Sequence, residues 1–299
     1  MKTTTFVKSI IAGLALTVST QVACAQELIA DSWADTKALK GGSMVVNYCP
    51  EDVFAYTDEN GKLTGIEIDL MKLFVHHVET KFGTKLKVEW VETKDFGDFY
   101  ASVKDAKKGV FGVGAVSRLE SREDEVAFTP SYMRNKAVLI TSGDVPEMRN
   151  IAEFNDHFDA ADGVSLRASS YNTYLELLSE ETGNSFNTVF VNNNNDIVDH
   201  VESNPGSFAF IDLAAYINAV KNGKNVRRHA GFDQASTDFA FIMPKDSDWG
   251  EPVNSFFGSS QFKSFMLLVL KKHLGANAGN LMEMIAAKKG TTNTQSTTR

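Results

Sequence analysis

The chain has 299 residues, of which 43% are hydrophobic and 23% are charged, and its formal net charge is −8 with a pI near 5.3. This composition is typical of globular proteins and excludes a disordered or fibrous chain. The acidic balance argues against a nucleic-acid partner, because nucleic-acid-binding domains carry a basic face. The two cysteines, Cys24 and Cys49, are too few for a disulfide scaffold. At about 100–200 residues per domain, the length accommodates one large domain or two smaller ones.

The first 25 residues have the pattern of a secretory signal peptide. The first eight residues contain Lys2 and Lys8 and no acid, and an apolar stretch over residues 10–18 follows them. Ala23 and Ala25 provide the small side chains of a cleavage site, and cleavage after Ala25 also removes the first cysteine. The apolar stretch is shorter than the roughly 20 residues that a membrane span needs, and a buried N-terminal helix would not require this order of charge. The sequence therefore predicts an exported, periplasmic protein.

The mature chain alternates short β-rich segments with segments of helical period. In chain order, we predict strands over residues 43–48, 85–91, 110–116, 136–141, 163–166, 186–191, 207–211 and 238–243. We predict helices from residue 69, over residues 99–107, 171–182, 196–203 and 214–221, and from residue 249 onward. This alternation predicts an α/β fold with mostly parallel sheets. The last ten residues, 290–299, are rich in Thr and are expected to fray.

Several short segments resemble motifs of enzymes or metal sites, but the residues around them do not fit those motifs. Gly112 and Gly114 resemble the start of a dinucleotide-binding loop, but no amphipathic helix opens directly after them. Residues 163–167 lack the second glycine of a nucleophile elbow. His76 and His77 are adjacent in a predicted helix and point to different faces. We therefore predict no catalytic residue, no metal site and no cofactor.

Three parts of the chain combine groups that suit a ligand site. Residues 117–132 contain Arg122 among several acids, Ser169 and Ser170 lie between a strand and a helix, and Asp212 ends a strand. Each part also has a simpler interpretation. The arginine could belong to a solvated charged turn, and the serines and the aspartate could cap the helices that follow them.

Together these parts resemble family 3 of the solute-binding proteins, the periplasmic amino-acid receptors of ABC importers. Residues 54–70 resemble the first signature of the family, an aromatic strand and a turn followed by G-(F/I)-x-(V/I)-(D/E)-L. Residues 117–132 resemble its second signature, which carries the family arginine. Residues 163–170 are similar to the strand and G-T-T turn of the second lobe, with Ala168 in place of the glycine. The resemblance runs along nearly the whole mature chain.

The resemblance implies a type II periplasmic-binding-protein fold, in which two α/β lobes are joined by two crossing hinge strands. It places residues 26–137 and 240–289 in the first lobe and residues 138–239 in the second. The crossings are expected near residues 137–141 and 238–243. A ligand that bridges the lobes would bind the closed form better and shift the population toward it.

By the same resemblance, the ligand is an α-amino acid whose carboxylate meets Arg122 and whose ammonium meets Asp212. A buried zwitterion needs a partner for each charge, and the planar fork of a guanidinium suits a carboxylate. Further hydrogen bonds would come from serines at a helix N-terminus. Phe54, alone or with Tyr56 or Phe99, would cover the aliphatic part, and either Glu51 or Asp52 would read a polar or cationic side chain. The predicted ligand-binding residues are Arg122, Asp212, Ser170, Ser169, Ser117, Ala115, Phe54 and Glu51.

Three functions are open at this point. The first is a monomeric, non-catalytic receptor that delivers an amino acid to an ABC permease. The second is a periplasmic enzyme of the same fold that resembles cyclohexadienyl dehydratases, for which Glu51 or Asp212 would have to supply acid–base catalysis. The third is a ligand-sensing module of a receptor or a cell-wall lyase, which the absence of a predicted transmembrane helix or second domain disfavours. We predict the first, with no nucleic-acid partner.

Overall fold

The computed structural model describes residues 27–158 and 161–287, with side chains as far as Gly275. The predicted signal peptide, residues 1–25, and the predicted tail, residues 290–299, lie outside the described residues. The strands are β1 (Gly41–Tyr48), β2 (Tyr56–Thr57), β3 (Leu63–Thr64), β4 (Lys85–Glu92), β5 (Val110–Val113), β6 (Val126–Phe128), β7 (Met133–Asn135), β8 (Ala137–Ser142), β9 (Asp162–Leu166), β10 (Asn187–Val191), β11 (Ser207–Asp212), β12 (Val226–Arg228), β13 (Thr237–Phe239) and β14 (Ile242–Pro244). The helices are α1 (Trp33–Leu39), α2 (Ile66–Phe82), α3 (Phe96–Lys104), α4 (Ile151–His157), α5 (Ser170–Thr182), α6 (Asn194–Ser203), α7 (Leu213–Lys221), α8 (Gly250–Phe257) and α9 (Phe262–Ala287).

Two five-stranded sheets organise the described chain into two lobes. The first lobe is built on the sheet with strand order β4-β1-β5-β14-β6, and the second lobe on the sheet with order β10-β9-β11-β8-β12. In each sheet the first three strands of this order are parallel, and the fourth is antiparallel to both of its neighbours. Helices connect the parallel strands, so the carboxyl ends of those strands share one edge of each sheet. The predicted two-lobed α/β architecture is confirmed. The sheets are mixed and not mostly parallel as predicted, because each has two antiparallel pairings besides its two parallel ones.

A short antiparallel pair, β7 with β13, joins the two lobes, with Phe239 opposite Met133 in the ladder. The strand predicted over residues 238–243 is split in the structure. Its first part is β13, and after a break of two residues β14 enters the first sheet. The crossing predicted near residues 137–141 is β8, which lies inside the second sheet. The two crossing strands are therefore present, and both begin earlier in the chain than predicted.

Helix α2 begins three residues before its predicted start, and Gly65 is the reason. Gly65 has a φ of +131°, and the carbonyl group of Phe54 occupies the space where a Cβ would stand. Only glycine tolerates both this backbone conformation and this close approach. Because the helix starts here, Glu67 lies in its first turn and is fully buried. This placement brings a third acid close to the predicted site.

Each lobe has an aromatic core, and the two lobes also contact each other. In the first lobe Phe111 packs against Phe74 and Trp249, with ring centroids 5.4 and 5.6 Å apart. In the second lobe the rings of Phe154 and Phe208 are 5.1 Å apart. Buried aromatic side chains dominate the energetics of such cores. Helix α3 of the first lobe packs into the same apolar cluster as the second sheet, so the lobes are closed against each other.

Candidate functional site

The predicted site residues lie where strands of both sheets end. Glu51 follows β1, Ser117 follows β5, Ser170 follows β9 and Asp212 ends β11. Open α/β sheets bind ligands at this edge, outside the carboxyl ends of the strands. A cleft between the lobes is lined by all the predicted ligand-binding residues except Phe54. The same cleft is also lined by Phe96, Gly114, Leu166, Tyr171 and Asn194.

Arg122 is a buried cation on the first-lobe side of the cleft, with only 8% of its surface exposed. Its Nη1 donates a hydrogen bond to the Ser117 carbonyl at 3.4 Å, and its Nη2 donates to the Ala168 carbonyl of the second lobe at 2.6 Å. The guanidinium also lies 5.0 Å from the ring centroid of Tyr100. Burial lowers the pKa of Arg122, yet a guanidinium stays charged in proteins. By contrast, Arg118 is exposed and pairs with Glu123, as expected for a solvated turn.

Asp212 is a buried acid on the second-lobe side. It occupies the N-cap position of α7, but its side chain makes no capping hydrogen bond, so capping does not explain it. Its carboxylate accepts hydrogen bonds from Nδ2 of Asn135 at 2.5 Å and from Nδ2 of Asn194 at 3.4 Å. Burial raises the pKa of Asp212 to about 7, although these hydrogen bonds and one from Tyr171 act in the opposite direction.

Glu51 faces Asp212 across Asn194. Nδ2 of Asn194 donates to Oε1 of Glu51 at 2.6 Å, which is a direct contact between the lobes. Burial, and then the negative charge of Asp212, hold the pKa of Glu51 well above its usual range. Asn194 was not predicted as a site residue; it begins α6, two residues before the predicted start of that helix.

Glu67 is a further acid that the sequence did not single out, although it lies within the first family signature. Its Oε2 accepts the backbone N–H of Ala115 at 3.0 Å, and its Oε1 accepts the Tyr132 hydroxyl at 2.8 Å. Ala115 has a φ of +50°, a backbone conformation that residues with a Cβ seldom adopt. Glu67 thus holds the cleft-lining turn after β5 in place. Burial raises the pKa of Glu67 to about 7.

The remaining predicted residues take different positions. Ser169 caps α5, because its Oγ accepts the N–H of Tyr171 at 3.3 Å, and Ser170 begins that helix and lines the cleft. The Ser117 hydroxyl lies 3.4 Å from that of Thr237. Phe54 is fully buried against Phe239 in the first-lobe core, because the turn into α2 packs over it, and it is not among the described residues that line the cleft. The aromatic residues that line the cleft are Phe96 and Tyr171.

The cleft is in a closed arrangement. Besides the contacts of Arg122 and Asn194, Nη2 of Arg167 in the second lobe lies 2.6 Å from Oδ2 of Asp95 in the first. The backbone N–H of Phe96 also reaches the Asn192 carbonyl across the cleft at 3.1 Å. The cavity that remains has a volume of about 20 Å³, which is close to the minimum for one water molecule. Any larger ligand must therefore separate the lobes and replace these direct contacts.

The buried acids predict an unusual pH dependence of stability. Glu67 and Asp212 have pKa values raised to about 7, so the folded protein holds protons that the unfolded chain releases near pH 4. These bound protons contribute to the free energy of unfolding in full at pH values below the pKa of the same acids in the unfolded chain. The contribution is lost as the pH rises through about 7. Burial lowers the pKa of His229 to about 4, so this residue has the opposite effect: below about pH 7 it makes the free energy of unfolding rise with pH.

We expect the free energy of unfolding without added ligand to fall by about 1 kcal/mol between pH 6.5 and 8. Urea unfolding at four pH values in this interval measures it. Glu67→Gln should reduce the dependence by half or more, because the amide does not titrate while Asp212 still does, whereas Glu59→Gln on an exposed turn should leave it unchanged. A free energy of unfolding that rises over this interval would contradict the assignment of protons to these acids.

Comparisons with known proteins agree with the two-lobed fold described above. The family model described as bacterial extracellular solute-binding proteins, family 3, matches residues 45–275. A comparison with curated protein sequences gives no match.

Solved structures provide the second comparison. The arginine-, lysine-, histidine-binding protein ArtJ from Geobacillus stearothermophilus has 17% sequence identity and a TM-score of 0.62, with 78% of this chain and 96% of that chain covered. An ABC uptake transporter substrate binding protein from Streptococcus pneumoniae with bound histidine has 19% identity and a TM-score of 0.63, covering 82% and 97%. The ancestral amino acid-binding protein AncCDT-1, a precursor of cyclohexadienyl dehydratase, has 16% identity and a TM-score of 0.63, covering 78% and 95%. At these identities the likeness establishes the fold, the type II periplasmic-binding-protein fold.

Proposed function

Because this chain belongs to the bacterial extracellular solute-binding proteins, family 3, we propose that it is a non-catalytic receptor that binds an α-amino acid between its lobes. The observation that carries the proposal is the pairing of a buried cation and a buried acid on opposite sides of one cleft. Arg122 approaches from the first lobe, and Asp212 from the second. These are the two charges that a buried zwitterion requires.

The ligand carboxylate would replace the Ala168 carbonyl as the acceptor of the Arg122 hydrogen bond. A carboxylate accepts both N–H groups of the guanidinium fork and adds a full charge, so the exchange is favourable. The N-terminus of α5, which begins at Ser170, adds donors and a positive dipole end to the same position. The ligand ammonium would meet Asp212, which would then hold its charge instead of a proton.

Binding in this position would couple to the movement of the lobes. The proposed first lobe comprises residues 26–137 and 240–289, and the proposed second lobe residues 138–239. Because the carboxylate binds one lobe and the ammonium the other, the ligand gains its full set of contacts only in the closed form. It would therefore favour a closed form in which the ligand bridges the lobes in place of their direct contacts.

The closed form would be recognised by the permease of an ABC importer, which would receive the solute from a monomeric, periplasmic receptor. The predicted signal peptide supports export, although it lies outside the described residues. In the described part of the chain, no helix combines the length and apolar character of a membrane span. Light scattering of the purified mature chain tests whether the protein is a monomer. Fractionation of the producing cell tests whether it is periplasmic.

A thermal-shift screen of the twenty amino acids, polyamines and small organic acids tests the binding function. At 100 times its Kd, a ligand should stabilise the protein by about 2.7 kcal/mol. We expect at least one α-amino acid to raise the midpoint, and its amine counterpart without the α-carboxylate to leave the midpoint unchanged. If no α-amino acid shifts the transition, the proposed function fails.

A second candidate is a periplasmic enzyme of the same fold, similar to cyclohexadienyl dehydratase. The two buried acids Glu51 and Asp212 favour it, because burial raises the pKa of each and a protonated carboxyl is a general acid. Incubation with prephenate or arogenate, followed by detection of the aromatic product, distinguishes the two functions. Turnover that Glu51→Gln abolishes would support the enzyme over the receptor.

A further inference from the structure

The acidic balance of the cleft constrains the side chain of the ligand. Within the described part of the chain, the cleft is lined by two acids, Glu51 and Asp212, and by one cation, Arg122. The main-chain charges of an amino acid would use Arg122 and Asp212. Glu51 then remains as a second acid that is only 5% exposed. A buried acid of this kind either keeps a proton or requires a counter-charge, because an isolated buried carboxylate costs several kcal/mol.

We propose, on the premise that the proposed function holds, that the bound amino acid has a cationic side chain and that this cation pairs with Glu51. The ammonium group of lysine or ornithine and the guanidinium of arginine have the required chemistry. Glu67, the other buried acid nearby, does not compete for the cation, because both of its oxygens already accept hydrogen bonds from Ala115 and Tyr132.

Two unpaired acceptors, one in the cleft and one behind Asp212, support this assignment independently of charge. Asn194, which is 2% exposed, directs its Nδ2 to the two acids, and its Oδ1 has no hydrogen-bond partner among the described residues. Asn135 likewise donates to Asp212, and its buried Oδ1 is unpaired within the same residues. A buried acceptor without a donor costs about 1–3 kcal/mol. The site is therefore short of donors, and a cationic side chain supplies them: three N–H bonds from an ammonium or five from a guanidinium.

The space next to Asn194 suits a long side chain. Asn194 lines both the cleft and a neighbouring cavity of about 220 Å³ between α6 and α7. That cavity is lined mainly by polar groups, including Asp52, the amide of Asn218 and Asp199, which is paired with Lys224 at 2.7 Å. A side chain that extends past Glu51 would therefore enter a polar space. An aliphatic side chain would leave Glu51 without a counter-charge and the Asn194 oxygen without a donor, and an acidic one would add a third negative charge.

Calorimetric titration at pH 7.5 with two matched ligand pairs tests the inference. L-Norleucine has nearly the length of L-lysine without the ammonium, and L-citrulline has nearly the shape of L-arginine without the charge. We expect the wild-type protein to bind L-lysine or L-arginine at least about 30-fold more tightly than its neutral counterpart, as for a buried charge pair. In Glu51→Gln this preference should fall below about 5-fold, because the charge is lost while the hydrogen bond from Asn194 can be kept.

The outcomes separate the inference from the function on which it rests. Glu59→Gln, the same change on an exposed turn, should keep the wild-type preference. If the wild-type protein binds the neutral or acidic amino acids as tightly as the cationic ones, the inference is overturned and the receptor function stands. The inference is likewise overturned, and the receptor function retained, if folded Glu51→Gln keeps the preference for cationic ligands. If no α-amino acid binds, both are overturned.

Discussion

Arg122→Ala should weaken the binding of the amino-acid ligand at least about 100-fold, because the ligand carboxylate would be buried without its counter-charge. The same substitution should leave the fold intact. Arg122 makes its hydrogen bonds to carbonyl oxygens, and its removal relieves the desolvation of a buried cation. Titration calorimetry measures the loss, and thermal unfolding without ligand checks the fold.

Arg118→Ala is the matched control for this prediction. Arg118 lies four residues earlier, is exposed and forms an ion pair with Glu123. Exposed ion pairs of this kind contribute at most about 1 kcal/mol, so the control should bind the ligand with unchanged affinity. Full affinity in Arg122→Ala together with a loss in Arg118→Ala would show that the carboxylate has been assigned to the wrong arginine.

Asp212→Asn should also weaken ligand binding about 100-fold, through the other end of the zwitterion. The amide keeps the size of the side chain but offers no negative charge to the ligand ammonium. The free energy of unfolding without ligand should not fall, because the substitution removes a buried acid whose pKa is raised by desolvation. A variant that is stable and yet binds poorly would separate recognition from folding.

Asp246→Asn makes the same chemical change on an exposed turn before α8 and serves as the control. It should retain wild-type affinity. Equal losses in both variants would point to a general effect of protein charge, and full affinity in Asp212→Asn would show that the ammonium binds elsewhere.

Much of the site could be predicted because its residues follow strands in recognisable signatures. The resemblance of residues 117–132 to the second family signature assigned the ligand carboxylate to Arg122, and the structure buries Arg122 and exposes Arg118. Asp212, at the end of a strand, was assigned through the same resemblance. Its alternative role as a helix cap could be excluded only from the structure, which shows no capping bond.

The residues that the sequence did not reveal act through distant contacts. Glu67 meets Ala115 and Tyr132, which lie 48 and 65 residues away along the chain. Asn194 approaches Glu51 only because the lobes close, over a separation of 143 residues. No local sequence pattern reveals contacts between residues so far apart. The run of asparagines at residues 192–195, where α6 begins, is a cluster of amides that could have been considered as part of the site.

The prediction of Phe54 as a ligand-binding residue shows the same limit of local sequence patterns. Phe54 belongs to an aromatic strand signature, and the sequence could not show that the turn at Gly65 would fold α2 over it. Two other rings line the cleft, Phe96 at the start of α3 and Tyr171 in the first turn of α5, and neither was among the predicted ligand-binding residues.

A crystal structure of the mature protein with the α-amino acid that gives the largest thermal shift tests the central claim most directly. We expect the ligand in the cleft between the lobes, with its carboxylate within about 3 Å of the Arg122 guanidinium and its ammonium within about 3 Å of the Asp212 carboxylate. A ligand bound outside this cleft, or one whose carboxylate makes no contact with Arg122, would contradict the proposed mode of recognition.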